Sequence, residues 1–138
     1  MKVNWREINA ARNSCAVVSA ACSLSGFSLR PVRAPEADVT CYSLNSLNEP
    51  RYRKEIREAP CTTIVGGPHA TALPEEPLAY GLDVVIRGEG EETVRELVGA
   101  TSGWDDIPGL AFLKEGKPFR TPDREFIRDL DTLPFPAR

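Results

Sequence analysis

Ile64-Val65-Gly66-Gly67-Pro68-His69-Ala70-Thr71 is the stretch on which both the fold and the expected site depend. Its two β-branched residues end a short apolar run, which is typical of a buried strand. Gly66 and Gly67 then let the backbone turn and approach another group closely. A similar run, Val84-Val85-Ile86, leads into Gly88-Glu89-Gly90. Ligands of open α/β sheets bind beyond the carboxyl ends of the strands, so the two exits predict one wall of a ligand site.

Helical and strand patterns alternate before these exits. A short strand over residues 1–5 precedes a helix over 9–25, and further strands are predicted over 37–42, 61–65 and 83–87. Short helical segments separate the later strands. This alternation predicts right-handed βαβ crossovers and an α/β fold with a mostly parallel sheet flanked by helices.

The pattern changes after residue 103. Two stretches with apolar residues flank Lys114-Glu115-Gly116, which is a β-hairpin signal. Pro134-Phe135-Pro136 predicts an extended end. We therefore predict an α/β domain over residues 1–103, followed by a C-terminal hairpin and linker over 104–138.

Charge and composition narrow the classes of function. The chain has 138 residues and a formal net charge of −3, without a basic run interleaved with aromatics, so no nucleic-acid partner is predicted. No apolar stretch approaches the roughly 18–20 residues of a membrane span. Charges at Arg6 and Glu7 interrupt any signal-peptide pattern. We therefore expect a cytoplasmic protein with no membrane partner.

The four cysteines are expected to be free and to act as small hydrophobic residues. Cys15 and Cys22 lie on a predicted helix about 10 Å apart, which exceeds the ~7 Å that a disulfide allows between Cα atoms. Cys41 and Cys61 lie in or beside strand-like runs. The spacings match no zinc-binding pattern, so we predict no cysteine-based metal site.

His69 is the only histidine, and therefore the only imidazole available for acid–base work or metal ligation. No second ligand is recognisable at a suitable spacing, and a lone histidine is more often structural. Glutamates cluster near the predicted ligand edge, at Glu75, Glu76, Glu89, Glu91 and Glu92. Paired carboxylates can act as general acid and base, but placement at helix starts explains most of these. We predict no catalytic and no metal-binding residue.

Three motifs in order resemble the cobalamin (B12)-binding domains found at the N-terminus of radical SAM enzymes. Val65–Glu75 is similar to their GGPHxT…PEE segment, and Asp83–Thr93 is similar to their D.vv.GEGE.t segment. Residues 107–138 resemble the ipGl…dLD.lPfPar linker that leads into the radical SAM barrel. The match is close from Ile64 onward, and the first 60 residues fit by fold pattern alone.

The resemblance implies a Rossmann-like (flavodoxin-like) domain that holds cobalamin at the carboxyl edge of its sheet. Its glycines would let the nucleotide tail of cobalamin pass, while hydroxyl and amide groups would meet polar edges of the cofactor. Carried over by position, the residues implied to bind the cofactor are Ser43, Leu44, Asn45, Gly66, Gly67, His69, Thr71, Gly88, Glu89 and Gly90.

Two departures from the family pattern shape the expected function. The D-x-H-x-x-G loop that places a histidine on cobalt is absent, so bound cobalamin is expected in a His-off form. The C-x-x-x-C-x-x-C triad of the iron–sulfur cluster is also absent. We therefore expect a fragment that is not itself catalytic. A missing C-terminal part would hold the [4Fe-4S] cluster, S-adenosylmethionine and a barrel in cis. The full-length protein is then expected to be a radical SAM enzyme, and methyl transfer is one reaction it could catalyse.

Two alternative functions stay open at this point. The domain could have lost cobalamin and serve as an interaction or substrate-recruiting domain, which a cobalamin titration would reveal. It could also be a small enzyme that uses His69 and the nearby glutamates. A cysteine triad beyond residue 138 would exclude that second alternative.

Overall fold

One seven-stranded sheet organises the computed structural model, which describes residues 1–8, 11–36, 38–101 and 103–136. The order across the sheet is β2-β1-β3-β4-β5-β6-β7. The first five strands in this order pair parallel to one another. Strand β6 pairs antiparallel with β5, and β7 pairs antiparallel with β6. The predicted α/β fold with a mostly parallel sheet is confirmed. The strands are β1 (Val3–Arg6), β2 (Leu29–Val32), β3 (Val39–Ser43), β4 (Thr62–Gly66), β5 (Val84–Ile86), β6 (Leu110–Lys114) and β7 (Lys117–Arg120).

In the described part of the chain five α-helices flank the sheet, and α1 packs against α5. Cys41 and Tyr42 are consecutive in β3, so their side chains point to opposite faces. The Tyr42 ring packs edge-on against Tyr52 in α2, which places α2 on that residue's face. The predicted helix start at Asn9, the strand start at Ala37 and the linker end at residues 137–138 lie outside the described residues. The helices are α1 (Arg12–Ser23), α2 (Glu49–Arg57), α3 (Pro68–Ala72), α4 (Glu75–Ala79) and α5 (Glu91–Gly99).

The central strands are apolar because both of their faces are covered. Val65, Val84 and Val85 are at most 1% exposed. Complete burial of a side chain of this size contributes about 1.5–3 kcal/mol each. Such continuous apolar runs are typical of parallel strands with helices on both faces. None of the helices in the described ranges is long and apolar enough to cross a membrane.

The C-terminal hairpin is confirmed and extends the same sheet. β6 lies antiparallel to β5, with Val85 opposite Ala111. Glu115 and Gly116 form the hairpin turn with positive φ angles of 52° and 78°. Arg87, directly after β5, donates to the Leu110 and Thr121 carbonyl oxygens. The hairpin is therefore tied to the α/β core, while the domain boundary near residue 103 stays a prediction.

All four cysteines are free, as predicted. Cys22 and Cys41 are buried, whereas Cys15 and Cys61 are half-buried. Burial raises the pKa of the Cys22 thiol to about 11 and raises the pKa of Cys41 further. Both thiols therefore stay protonated near neutral pH and behave as small apolar groups of the core.

Candidate cofactor-binding site

A cavity of about 350 Å³ opens at the carboxyl end of the parallel strands, next to α1 and α5. Trp5 of β1, Cys41 of β3, Ile64 of β4 and Ile86 of β5 contribute to its lining. The volume falls in the range of small-molecule sites, roughly 300–1,000 Å³. The position agrees with the rule that open α/β sheets bind ligands beyond the ends of their strands.

Six of the predicted site residues line this cavity. The register explains how they meet, because Ser43 at the end of β3 lies opposite Gly66 at the end of β4. The next strand, β5, then leads into the second glycine exit. The six are Ser43, Gly66, Gly67, Gly88, Glu89 and Gly90.

Gly67 has a structural role as well as a place in the cavity wall. Its φ of 111° and ψ of 177° belong to a region that is essentially limited to glycine. A Cβ atom at this position would lie 2.4 Å from the Leu44 carbonyl oxygen. Leu44 N in turn donates to the Gly66 carbonyl oxygen at 3.0 Å. The exits of β3 and β4 are thus packed backbone against backbone. The predicted site residue Leu44 is fully buried and is not among the described residues that line the cavity.

Three other predicted residues lie beside the wall and not in it. Asn45 Oδ1 accepts from the backbone N–H groups of Leu47 and Asn48, both at 3.0 Å, and so shapes the exit of β3. Thr71 Oγ1 accepts from Gly88 N at 3.0 Å, which joins the two glycine exits. His69 is turned toward α2 and α4, away from the described lining. Direct contact of these residues with a cofactor stays a prediction.

The sequence analysis missed the lining residues of α1 and Val94 of α5, whereas it had placed Glu91 near the predicted ligand edge. Helix α1 adds polar and apolar side chains from a part of the chain remote from either glycine exit, and no local pattern indicates that contact. The additional lining residues on the two helices are Asn13, Ser14, Val17, Val18, Glu91 and Val94.

Glu91 stands out among these residues because one of its carboxylate oxygens is unpaired. Glu91 Oε2 is buried and has no hydrogen-bond partner within the described ranges of the chain. A buried acceptor without a donor costs about 1–3 kcal/mol. The cavity wall therefore offers an acceptor that a ligand N–H or O–H group could satisfy.

The loop after β5 also holds the segment that follows the hairpin. Glu89 Oε2 accepts from Ile127 N at 3.0 Å. Arg124 Nε donates to Thr93 Oγ1 at 2.8 Å, and the same guanidinium pairs with Glu96 of α5. The post-hairpin segment is consequently anchored at the rim of the cavity.

Comparison with known proteins shows which family the middle of the chain resembles. Residues 32–98 match the family model of the B12 binding domain. An uncharacterized methyltransferase of Pyrococcus horikoshii is 38% identical over 79 residues, which cover 54% of this chain and 17% of that protein. The anaerobic magnesium-protoporphyrin IX monomethyl ester cyclase of Cereibacter sphaeroides is 36% identical over 78 residues, covering 51% and 13%. The chain thus corresponds to a small part of these relatives.

Solved structures with the same fold cover nearly all of this chain. The radical S-adenosylmethionine methyltransferase TsrM of Kitasatospora setae, with cobalamin and a [4Fe-4S] cluster bound, aligns with a TM-score of 0.71 and 16% identity. The alignment covers 100% of this chain and 32% of TsrM. The cobalamin-dependent radical enzyme OxsB aligns with a TM-score of 0.69 and 15% identity, over 99% of this chain and 24% of OxsB. Residues 32–98 therefore resemble a B12-binding domain, and the fold of the chain is similar to that of these cobalamin-dependent radical enzymes.

Proposed function

We propose that this domain holds cobalamin at the carboxyl end of its sheet and presents it to a radical SAM barrel in the same polypeptide. The cavity between the two glycine exits and helices α1 and α5 carries this proposal. At about 350 Å³ it has room for part of cobalamin, and we assign it to the nucleotide tail. The [4Fe-4S] cluster and S-adenosylmethionine would be held by the barrel.

The cavity chemistry fits a large, mostly uncharged ligand. Apolar walls from Ile64, Ile86 and Val17 would cover a flat ring, and Ser43 and Ser14 offer hydroxyl groups. The free Glu91 Oε2 is suited to accept a hydrogen bond from an amide N–H or a hydroxyl of the cofactor.

The described residues that line the cavity include no lysine or arginine. A phosphate group is therefore better placed at the solvent-facing mouth than in the cavity.

The domain's own contribution is binding and orientation. Bound cobalamin would supply a cobalt centre able to carry a methyl group or to exchange electrons. The glycine exits let a ligand lie close to the backbone, and the Thr71–Gly88 hydrogen bond keeps the two exits together. The contact between Glu89 and Ile127 fixes the post-hairpin segment beside the same loop.

An absorbance titration with hydroxocobalamin, followed by desalting, tests the proposal. Close to one equivalent of corrin is expected to stay with the protein. Loss of all corrin from a protein that circular dichroism shows to be folded would contradict it.

Such a loss would favour the alternative of a cobalamin-free interaction domain. The absence of basic residues from the described lining is the observation that favours that alternative.

His69→Ala is expected to leave the spectrum of bound cobalamin unchanged, because the imidazole does not face the cavity. His69 Nδ1 lies 3.1 Å from Ser46 Oγ, and Nε2 lies 3.1 Å from Glu76 Oε2. Cobalt ligation by this ring would require the imidazole to turn away from Ser46 and Glu76 toward the cavity. Visible absorbance of the bound corrin, together with electron paramagnetic resonance of its Co(II) state, measures this directly. A change in the cobalt signal between wild type and variant would instead identify His69 as a ligand of the cofactor.

A further inference from the structure

Three short helices bring a second set of chemically active side chains together beside the cofactor cavity. Glu49 is on α2, His69 on α3 and Glu76 on α4. One ligand atom from each lies within 4.8 Å of the other two. The described lining of the cofactor cavity includes none of the three. The cluster is therefore separate from the proposed cobalamin site.

The imidazole of this cluster has an unsatisfied nitrogen. The His69 side chain is only 10% exposed, and its Nε2 has no hydrogen-bond partner in the parts of the chain that the structure describes. Nε2 nevertheless lies 3.1 Å from Glu76 Oε2, so it faces the carboxylates. A buried nitrogen without a partner is costly unless a ligand completes it.

The other ring nitrogen is held in the manner common for metal-binding histidines. His69 Nδ1 lies 3.1 Å from Ser46 Oγ. Histidines that bind metals through one nitrogen usually give the other N–H to an oxygen acceptor, which fixes the tautomer and the ring orientation. A Ser46 hydroxyl that accepts from Nδ1–H leaves the Nε2 lone pair directed at the two carboxylates.

The charges of the cluster also leave room for a cation. The Glu49 carboxylate is 1% exposed and accepts from Arg53 Nε and Nη2 at 2.9 Å. Arg53 Nη2 also reaches Glu76 Oε1 at 2.8 Å. One guanidinium thus serves two carboxylates, and Glu76 Oε2 stays on the side of the imidazole. With a neutral His69 the group keeps one net negative charge.

We propose that Glu49, His69 and Glu76 bind a divalent transition-metal ion such as Zn²⁺. One imidazole nitrogen and two carboxylate oxygens form a three-residue ligand set that suits zinc and leaves a position for water. The ion joins α2, α3 and α4 and so stabilises the chain directly after the Gly66–Gly67 exit. Arg53, whose side chain is 41% exposed, is the rival cation at this site.

Calorimetric titration of the EDTA-stripped protein with Zn²⁺ alone tests this site. One equivalent is expected to bind in wild type, and His69→Ala and Glu76→Gln are each expected to lose that binding. Glu75→Gln is the matched control, because Glu75 is adjacent to Glu76 but pairs with Arg120, and it should bind as wild type does. Arg53→Met removes the rival cation and is expected to tighten zinc binding about tenfold, which is about 1.4 kcal/mol.

Cobalt(II) substitution separates this site from binding to the free cysteines. A visible Co²⁺ spectrum without a thiolate charge-transfer band, lost in Glu76→Gln, supports the proposal. No binding in either wild type or Arg53→Met would overturn it. Binding that persists in both His69→Ala and Glu76→Gln would overturn it as well. Neither result depends on cobalamin, so a failure here is distinct from a failure of the proposed cofactor role.

Discussion

Gly66→Leu is expected to weaken cobalamin binding by at least about tenfold, or about 1.4 kcal/mol, while the fold is retained. Gly66 lies in the cavity wall at the end of β4. The nearest heavy atom to a Cβ built there is Ile86 Cβ at 3.9 Å, an ordinary van der Waals distance. The backbone can therefore accept a side chain, and the rest of the leucine must occupy the cavity beside Ile86. The fraction of corrin retained after desalting measures the loss.

The control for this substitution places the same side chain outside the cavity. Gly99 lies at the exposed end of α5, where a Cβ would meet Phe27 Cε2 at 3.9 Å. Gly99→Leu should bind cobalamin as wild type does. Undiminished corrin retention by a folded Gly66→Leu variant would show that the ligand does not use this cavity.

Gly67→Ala is expected to lower the free energy of unfolding by about 3 kcal/mol or more, whether or not cobalamin is present. Two costs add at this position. The φ of 111° is unfavourable for alanine, and the new methyl group would lie 2.4 Å from the Leu44 carbonyl oxygen. The clash is with backbone, so it can be relieved only if the exit of β3 moves. Urea denaturation followed by circular dichroism measures the change.

Gly26→Ala is the control for a positive φ angle without a steric clash. Gly26 has a φ of 79°, but nothing lies within 4 Å of its added Cβ. Its substitution is expected to cost about 1 kcal/mol. Equal losses in the two variants would mean that the contact with Leu44 contributes nothing. Gly66 is therefore the position that can probe the cavity. A bulky residue at position 67 would abolish cobalamin binding by disrupting the fold.

Most of the sheet could be predicted because its signals are local. The central strands β4 and β5 are short apolar runs that lead into glycine-rich sequence, as Ile64-Val65-Gly66 does. The hairpin was equally accessible, because Glu115 and Gly116 adopt the positive φ angles that such a turn requires. The conformation of each of these elements is determined by about four or five consecutive residues.

Helix α3 could not be predicted in the same way. Pro68–Ala72 has only five residues, which is too short for a helical period to be recognised. Its start combines Gly67 at the N-cap with Pro68 at the first helical position, a favourable arrangement that is also typical of a loop. The orientation of His69 could not be predicted either, because this one helical turn directs its side chain toward α2 and α4.

The walls of the two sites differ in how far the sequence could describe them. The glycine exits are short motifs and were predicted as a wall of the cavity. Asn13 and Val17 reach the same cavity through packing of α1 against α5, a contact between remote parts of the chain. Glu49 likewise meets His69 only in the folded state, 20 residues before it in the chain. Single-sequence patterns do not carry such long-range contacts.

The two outer strands have a consequence for how the protein meets other macromolecules. β2 at one edge contains Arg30 and Pro31, and β7 at the other contains Lys117 and Pro118. Proline offers no N–H group to a neighbouring strand, and exposed basic side chains at an edge discourage pairing. Both borders of the sheet are thereby protected against strand addition and against polymerisation edge to edge. We expect a partner protein to dock on the helices or at the cavity rim and not to extend the sheet.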